Sequence, residues 1–411
     1  MDNERAPGYW MILAGIPSLL ALFFVLHVPM NAPLPIYFLD AQQYASTGYI
    51  TDTSYPVAFT WLTGLSLKAF GTHGPEVLQV TLYLLIVLSV WALARKSGAS
   101  PRYALIAGVV AAIYPQLPAS VTKIWDVELS VLLLVLVMLC TVSLMREGLR
   151  PVWVIATGVV LGLSFAQRPN MLLLIPLPIY FCFTSAASWR RKIVALAGAG
   201  VLCAGVLAGI NTLAHGSFFL AQNGPYNLVQ GHNEYTAEVL LKDLSCERTV
   251  ALFMIQDGME DYLVDISDPR LQEYWTHRAF AFMRAHPQEE PKIAMVKLWT
   301  VFRPNTRNHP AMSVYGVPTI LESLIFPAWL ILLVLRKVRS GLDRLDWTFI
   351  VMVALFVLPF LITSSDPRYQ IPIEICLLSH IAYMLDSGSK IKAAMGRAPL
   401  DRADVDVGLA R

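Results

Sequence analysis

Ten apolar runs, at residues 9–28, 76–94, 103–121, 129–145, 151–167, 171–187, 193–213, 313–335, 346–363 and 371–385, set the rhythm of the chain. Most approach the roughly 20 residues that a helix needs to cross a hydrocarbon core about 30 Å thick. Short polar turns separate them, and two long segments break the alternation. The first, 29–75, opens on the proline-punctuated stretch Pro29 to Pro35, carries Asp40, Tyr44, Tyr49 and Asp52, and turns semi-apolar from Val57 to Phe70. That last part predicts helices lying at the membrane interface. The second, 214–312, is the one soluble-looking piece. Within it Asp268-Pro269 predicts a capped helix ending before Pro287, and a second helix follows over 291–302.

The pattern predicts an all-α polytopic membrane protein with about ten transmembrane helices and a small, mainly helical outer segment. Four pieces follow: an N-terminal membrane module (1–213) with its long first outer loop (29–75), the outer segment (214–312), C-terminal membrane helices (313–386), and a tail (387–411) expected to be disordered. Nothing reads as a cleaved signal peptide, because the first span is long and no small-residue cleavage site ends it.

Charge gives the orientation. With the N-terminus inside, 18 of the 31 basic residues fall on the inner loops and termini, and the short outer loops hold only Lys68, Lys123, Arg168 and Arg368. The other nine sit in 214–312, too long a loop for the rule to count. Both termini are therefore expected in the cytoplasm and the long segments outside a plasma (inner) membrane. Composition agrees: 56% of residues are hydrophobic and 15% charged, where soluble domains carry about 25% charge. The net charge of +2 belongs to the inner face and implies no nucleic-acid partner. The five cysteines make no metal spacing, and only Cys246 lies in a long outer segment.

The ionisable groups that need a reason stand at the outer ends of spans. Asp40 closes the apolar run Leu34 to Leu39; it is either the N-cap of a helix starting at Ala41 or a semi-buried general base. Asp126 and Glu128 share a short outer stretch with Lys123; they either pair with that lysine or orient sugar hydroxyls or a divalent cation such as Mg²⁺ or Mn²⁺. Arg368, in Asp366-Pro367-Arg368-Tyr369, suits a bidentate phosphate clamp. The alternatives are snorkelling to lipid headgroups or pairing with Asp366 or Glu374. Arg168, before Pro169, has the same readings. Tyr226, Asn227, His232 and Asn233 carry the amides and ring faces that a sugar site uses, although loops favour Asn and Gly for turn reasons too. No P-loop, dinucleotide fingerprint, HExxH or GxSxG is present. Most span centres lack charge, which argues against a secondary transporter.

Several short stretches together resemble the polyprenyl-phosphate-sugar-dependent glycosyltransferases of the GT-C fold, in the branch akin to protein O-mannosyltransferases and the aminoarabinose transferase of lipid A. They are Asp40 to Tyr44 with Tyr55-Pro56, Gly162-Leu163 with Arg168-Pro169, Gly224 to Asn227 with Gly231 to Asn233, Ala279 to Pro287, and Asp366 to Tyr369 with Pro372. Here a single Asp followed by Ala stands where many relatives carry two adjacent acids, which speaks against a metal role for the first loop.

The resemblance implies an inverting transfer, of hexose or pentose, from a lipid-phosphate sugar to an acceptor hydroxyl of a glycan, lipid or protein at the outer face. It implies Asp40 as base, Arg368 with Arg168 on the donor phosphate, and Asp126 or Glu128 orienting the acceptor or a metal. Tyr44, Tyr55, Tyr226, Asn227, His232, Asn233 and Tyr369 are implied around the sugar. The rival readings are a lipid-linked glycan polymerase or ligase and a non-enzymatic lipid or solute transporter.

Overall fold

The computed structural model describes residues 6–30, 35–52, 55, 57–218, 223–242, 247–257, 268–302, 318–363 and 369–395. Arg368, Asp366, Pro56 and Cys246 lie outside them. All described regular structure is helical: α1 (Ala6–His27), α2 (Pro35–Thr47), α3 (Val57–Phe70), α4 (Gly74–Ser97), α5 (Pro101–Ala112), α6 (Gln116–Ser120), α7 (Val127–Glu147), α8 (Pro151–Gln167), α9 (Pro176–Thr184) and α10 (Trp189–His215). Segment 214–312 supplies α11 (Gly224–Gly231), α12 (Thr236–Leu241), α13 (Glu247–Gln256), α14 (Pro269–Ala285) and α15 (Glu290–Phe302). Last come α16 (Pro318–Ser340), α17 (Arg344–Ile362) and α18 (Gln370–Met395).

Each of the ten apolar runs is helical over most of its length. Among the described residues, four stretches are by length and composition alone apolar enough to cross a bilayer: Val57–Ser97, Val127–Glu147, Trp189–His215 and Arg344–Ile362. The chain is a multi-pass membrane protein. α7 is enclosed on nearly all sides by α4, α8, α9 and α18, so its leucines and valines form the middle of the core. α10 is peripheral and touches the bundle along one stripe. The sequence reason is Gly158 and Gly162, four apart on α8. A Cβ at the first would stand 2.6 Å from the Ala199 carbonyl oxygen, and at the second 2.7 Å from that of Cys203. Only glycine lets the two backbones approach so closely without water to drive them together.

The outer segment builds a small core of its own from Val229, Phe253, Met254, Leu271 and Trp275. Its helix α14 begins as expected: Pro269 is the first residue and the Asp268 carboxylate accepts the Arg270 N–H. The segment rests on the C-terminal end of α17. Lys297 on α15 is fully buried and donates from Nζ to the Leu361 carbonyl at 3.0 Å, and His232 Nε2 lies 2.7 Å from the Ile362 carbonyl. These are carbonyls of the last turn, which have no partner inside the helix. The N-terminus of α17, about 27 Å away along its axis, is closed by a capping box between Asp343 and Asp346. There Arg336 bridges both carboxylates, at 2.7 Å each. α18 continues to Met395, so residues 387–395 of the expected disordered tail are helical.

Candidate active site

Of the two readings of Asp40, one falls away. Asp40 stands inside α2, which begins five residues earlier at Pro35, so the N-cap reading is excluded. Pro35 supplies the start instead, because a first-turn position needs no N–H. Tyr37, Asp40, Ala41 and Tyr44 are all buried, and their spacing of three, one and three puts them on one face of α2 towards α3. Burial, and secondarily the charge of Asp52, pushes the Asp40 carboxyl up to about 7. A carboxyl that titrates near neutrality can both take and hold a proton at working pH.

From Asp40 a line of contacts leads to the two charges of the next loops. Tyr37, one turn before Asp40, packs edge-on against Phe59, ring centres 5.8 Å apart. The Phe59 N–H, an orphan donor of the first turn of α3, donates to Gln167 Oε1 at 3.0 Å. Gln167 Nε2 in turn donates to Asp126 Oδ2 at 3.2 Å. Arg168, the next residue, donates from Nη2 to the same Oδ2 at 2.8 Å and from Nε to Ser130 Oγ at 2.8 Å. Its backbone is extended (φ −150°, ψ 108°), as the residue before Pro169 must be, which ends α8 and turns the side chain across to α7. Asp126 is buried and Arg168 largely so, with side chains 5% and 12% exposed. Arg168 is therefore no headgroup anchor, and Asp126 pairs with it rather than with Lys123.

Tyr369 covers this pair. The Arg168 guanidinium lies 4.9 Å from the Tyr369 ring centre, and the ring also stacks on Phe360, 4.2 Å apart and 9° from parallel. Tyr369 immediately follows Arg368 in the sequence. Glu374, a candidate partner of Arg368, accepts from Tyr114 Oη and Gln370 Nε2, both at 2.6 Å.

Glu128 sits in the first turn of α7, fully buried, beside Ser120, Lys123 and Asp126. Glu128 Oε2 and Asp126 Oδ1 are buried with no hydrogen-bond partner among the described residues. Asp126 already faces a guanidinium, and no cluster of three or more metal-ligating side chains occurs among the described residues.

The structure brings together Asp126, Glu128, Arg168 and Tyr369 and ties the Asp40 helix to them. It uses the other candidates elsewhere. Tyr44 wedges against Gly64 and accepts from Trp61 Nε1 at 3.0 Å, with the Lys68 ammonium 4.2 Å from its ring. Tyr55 packs edge-on to Tyr37. Tyr226 packs on Trp275 in the outer core, and Asn227 is half-buried on α11. Asn233 closes its own turn, donating to the Val229 carbonyl and accepting from the Tyr235 N–H. His232 has both ring nitrogens occupied, Nδ1 by Glu290 at 2.7 Å and Nε2 by Ile362. Burial and the Lys297 charge hold this imidazole below its ordinary range. Sequence reading missed Gln167, Ser130 and Lys297. The signals were present: a glutamine ending an apolar helix, a serine four residues after Asp126, and a lysine inside the apolar run 293–299.

Residues 54–208 match the model of the dolichyl-phosphate-mannose-protein mannosyltransferase family. That stretch contains Asp126, Glu128, Gln167 and Arg168. The crystal structure of the apo oligosaccharyltransferase of Archaeoglobus fulgidus aligns over 96% of this chain and 52% of its own, at 11% identity and a TM-score of 0.50. The fold is GT-C. AglB from the same organism, in complex with an inhibitory peptide and a dolichol-phosphate, aligns over 97% of this chain and 53% of its own, at 14% identity and a TM-score of 0.47. The chain thus spans about half the length of these oligosaccharyltransferases. No curated protein matches it. The resemblance read from the sequence is borne out in the GT-C architecture and in the matched segment.

Proposed function

We propose that the protein is an integral membrane glycosyltransferase that moves a sugar from a polyprenyl-phosphate carrier to an acceptor hydroxyl at the outer face of a plasma membrane. The observation that carries this reading is the buried Asp126–Arg168 pair under Tyr369, joined through Gln167 and Phe59 to a helix whose buried Asp40 titrates near 7. A positive group fixed by a carboxylate and an aromatic face suits a phosphate leaving group, and a carboxyl of that acidity suits a general base.

In this reading the acceptor O–H gives its proton to Asp40 as its oxygen attacks the anomeric carbon. The bond from that carbon to the phosphate oxygen breaks on the opposite side, so the configuration inverts. Arg168 and Arg368 receive the negative charge that develops on the departing polyprenyl phosphate. Asp126 holds Arg168 in register, and Glu128 stands behind it.

The carrier's tail has a candidate seat in an apolar cleft of about 620 Å³ between α15, α16 and α17. It runs from Phe302 and Leu361 at the outer end to Leu342 and Lys337 at the other. The cytoplasmic termini, the ten-span count and the division at 213/214, 312/313 and 386/387 belong to the same proposal, supported by the basic residues of the inner loops.

The test is to incubate purified protein with a panel of polyprenyl-phospho-sugars and measure protection from thermal unfolding. Selective protection by one donor, followed by transfer of its sugar to an acceptor, is the expected result. Liposome flux of a solute, with no donor binding, would favour a transporter and remove the transferase reading.

A further inference from the structure

A fully buried lysine is informative through its partners, because an ammonium in an apolar interior must be held by polar groups. Lys297 is 0% exposed. Its ammonium faces the Leu361 carbonyl at 3.0 Å and His232 Nε2 at 3.4 Å, while His232 reaches the Ile362 carbonyl and Glu290. Two side chains of the outer segment thus hold consecutive carbonyls at the C-terminal end of α17, where the helix dipole favours positive charge. The fit is close on the backbone side too, since a Cβ on Gly231 would stand 2.0 Å from the Thr363 carbonyl oxygen.

The turn held in this way carries Phe360 next to Leu361. Phe360 stacks flat on Tyr369, and Tyr369 covers the Arg168 guanidinium. The contacts from Lys297 to Arg168 are therefore continuous: ammonium, helix end, stacked rings, guanidinium.

We propose that Lys297, with His232, is a positioning residue: it fixes the last turn of α17 so that Phe360 and Tyr369 hold Arg168 ready for the donor phosphate. The outer segment is by this account the clamp that sets the phosphate site. The inference rests on the assignment of Arg168 to the donor, and it adds a physical consequence that can be read without any donor. Lys297→Met removes the cap and keeps the side-chain length. His232→Leu removes the second capping donor without touching α15 and guards against a misfolded lysine variant.

The first measurement is hydrogen exchange on the full-length protein in detergent, without ligand. Lys297→Met is expected to speed exchange in the last turn of α17, in 369–374 and around Arg168, leaving α14 unchanged. Unaltered exchange at 369–374 and Arg168 would overturn the proposal whatever the protein binds.

The second is the affinity for a polyprenyl-phospho-sugar in a mutant cycle with Tyr369→Ala. Each single variant is expected to weaken binding by about tenfold and to lower kcat as well, because Arg168 also receives the charge of the departing phosphate. The double variant should be no weaker than Tyr369→Ala alone, because the clamp acts through that ring. Independent, multiplying effects would overturn the route through Tyr369. A wild-type protein that binds no donor, with the exchange result intact, would instead sink the assignment of Arg168 and leave the clamp standing.

Discussion

The Asp126–Arg168 pair allows the sharpest energetic prediction. Its side chains are 5% and 12% exposed, joined at 2.8 Å, with Gln167 and Ser130 filling further hydrogen bonds. Asp126→Asn would leave the Arg168 guanidinium facing a neutral amide at this contact, and Arg168→Met would leave a buried carboxylate with Gln167 as its remaining side-chain donor among the described residues. Breaking a buried pair from one side costs about 3–5 kcal/mol, mostly through the charge left behind. Removing both charges together removes that penalty. The double variant should therefore be less destabilised than the sum of the singles, by about 2–3 kcal/mol.

Denaturant unfolding in mixed micelles, followed by tryptophan fluorescence, measures the four proteins, provided that refolding is reversible for each. Additivity within about 0.5 kcal/mol would refute the claim that the two charges form one unit. It would also remove the reason for assigning Asp126 to hold Arg168.

Three further outcomes follow from the same geometry. Asp40 has a folded-state acidity near 7 against an ordinary 3.8, so the native protein binds the extra proton between about pH 4 and 7. Its contribution to stability therefore falls as pH rises through that window, while transfer by its ionised form rises with an inflection near 7; a flat rate profile from pH 5.5 to 8.5 would contradict this. Gly162→Leu should force α8 from α10 and lower thermal stability by an amount corresponding to about 1–3 kcal/mol, since its nearest neighbours are a carbonyl and Val206. An unchanged melting temperature would show that the two helices need no close approach. Ala354→Trp, which fills the apolar cleft between α16 and α17, should raise KM for long-chain donors and spare short-chain ones, and equal effects on both would argue that the tail lies elsewhere.

Much of this architecture was legible because hydrophobic length and punctuation act locally. The apolar runs became helices, and Asp268-Pro269 set the start of α14. Pairings were not legible. Asp126 reads naturally as a neighbour of Lys123 three residues away, yet its partner stands 42 residues on, brought across by the turn at Arg168-Pro169. The cap alternative for Asp40 fails because Pro35, not the carboxylate, begins its helix. Asn233 and His232 have the chemistry of a sugar site, and the fold uses both for its own backbone. Residue type tells what a side chain can do; only packing decides what is left for it to do.

The most direct test is sugar transfer by Asp40→Asn in a single-turnover experiment with saturating lipid-phosphate donor and acceptor. The account predicts undiminished donor binding and a rate lowered by at least about 100-fold, the lower end of what a general base contributes. Transfer within a few-fold of wild type, with Asn verified at position 40, would contradict it.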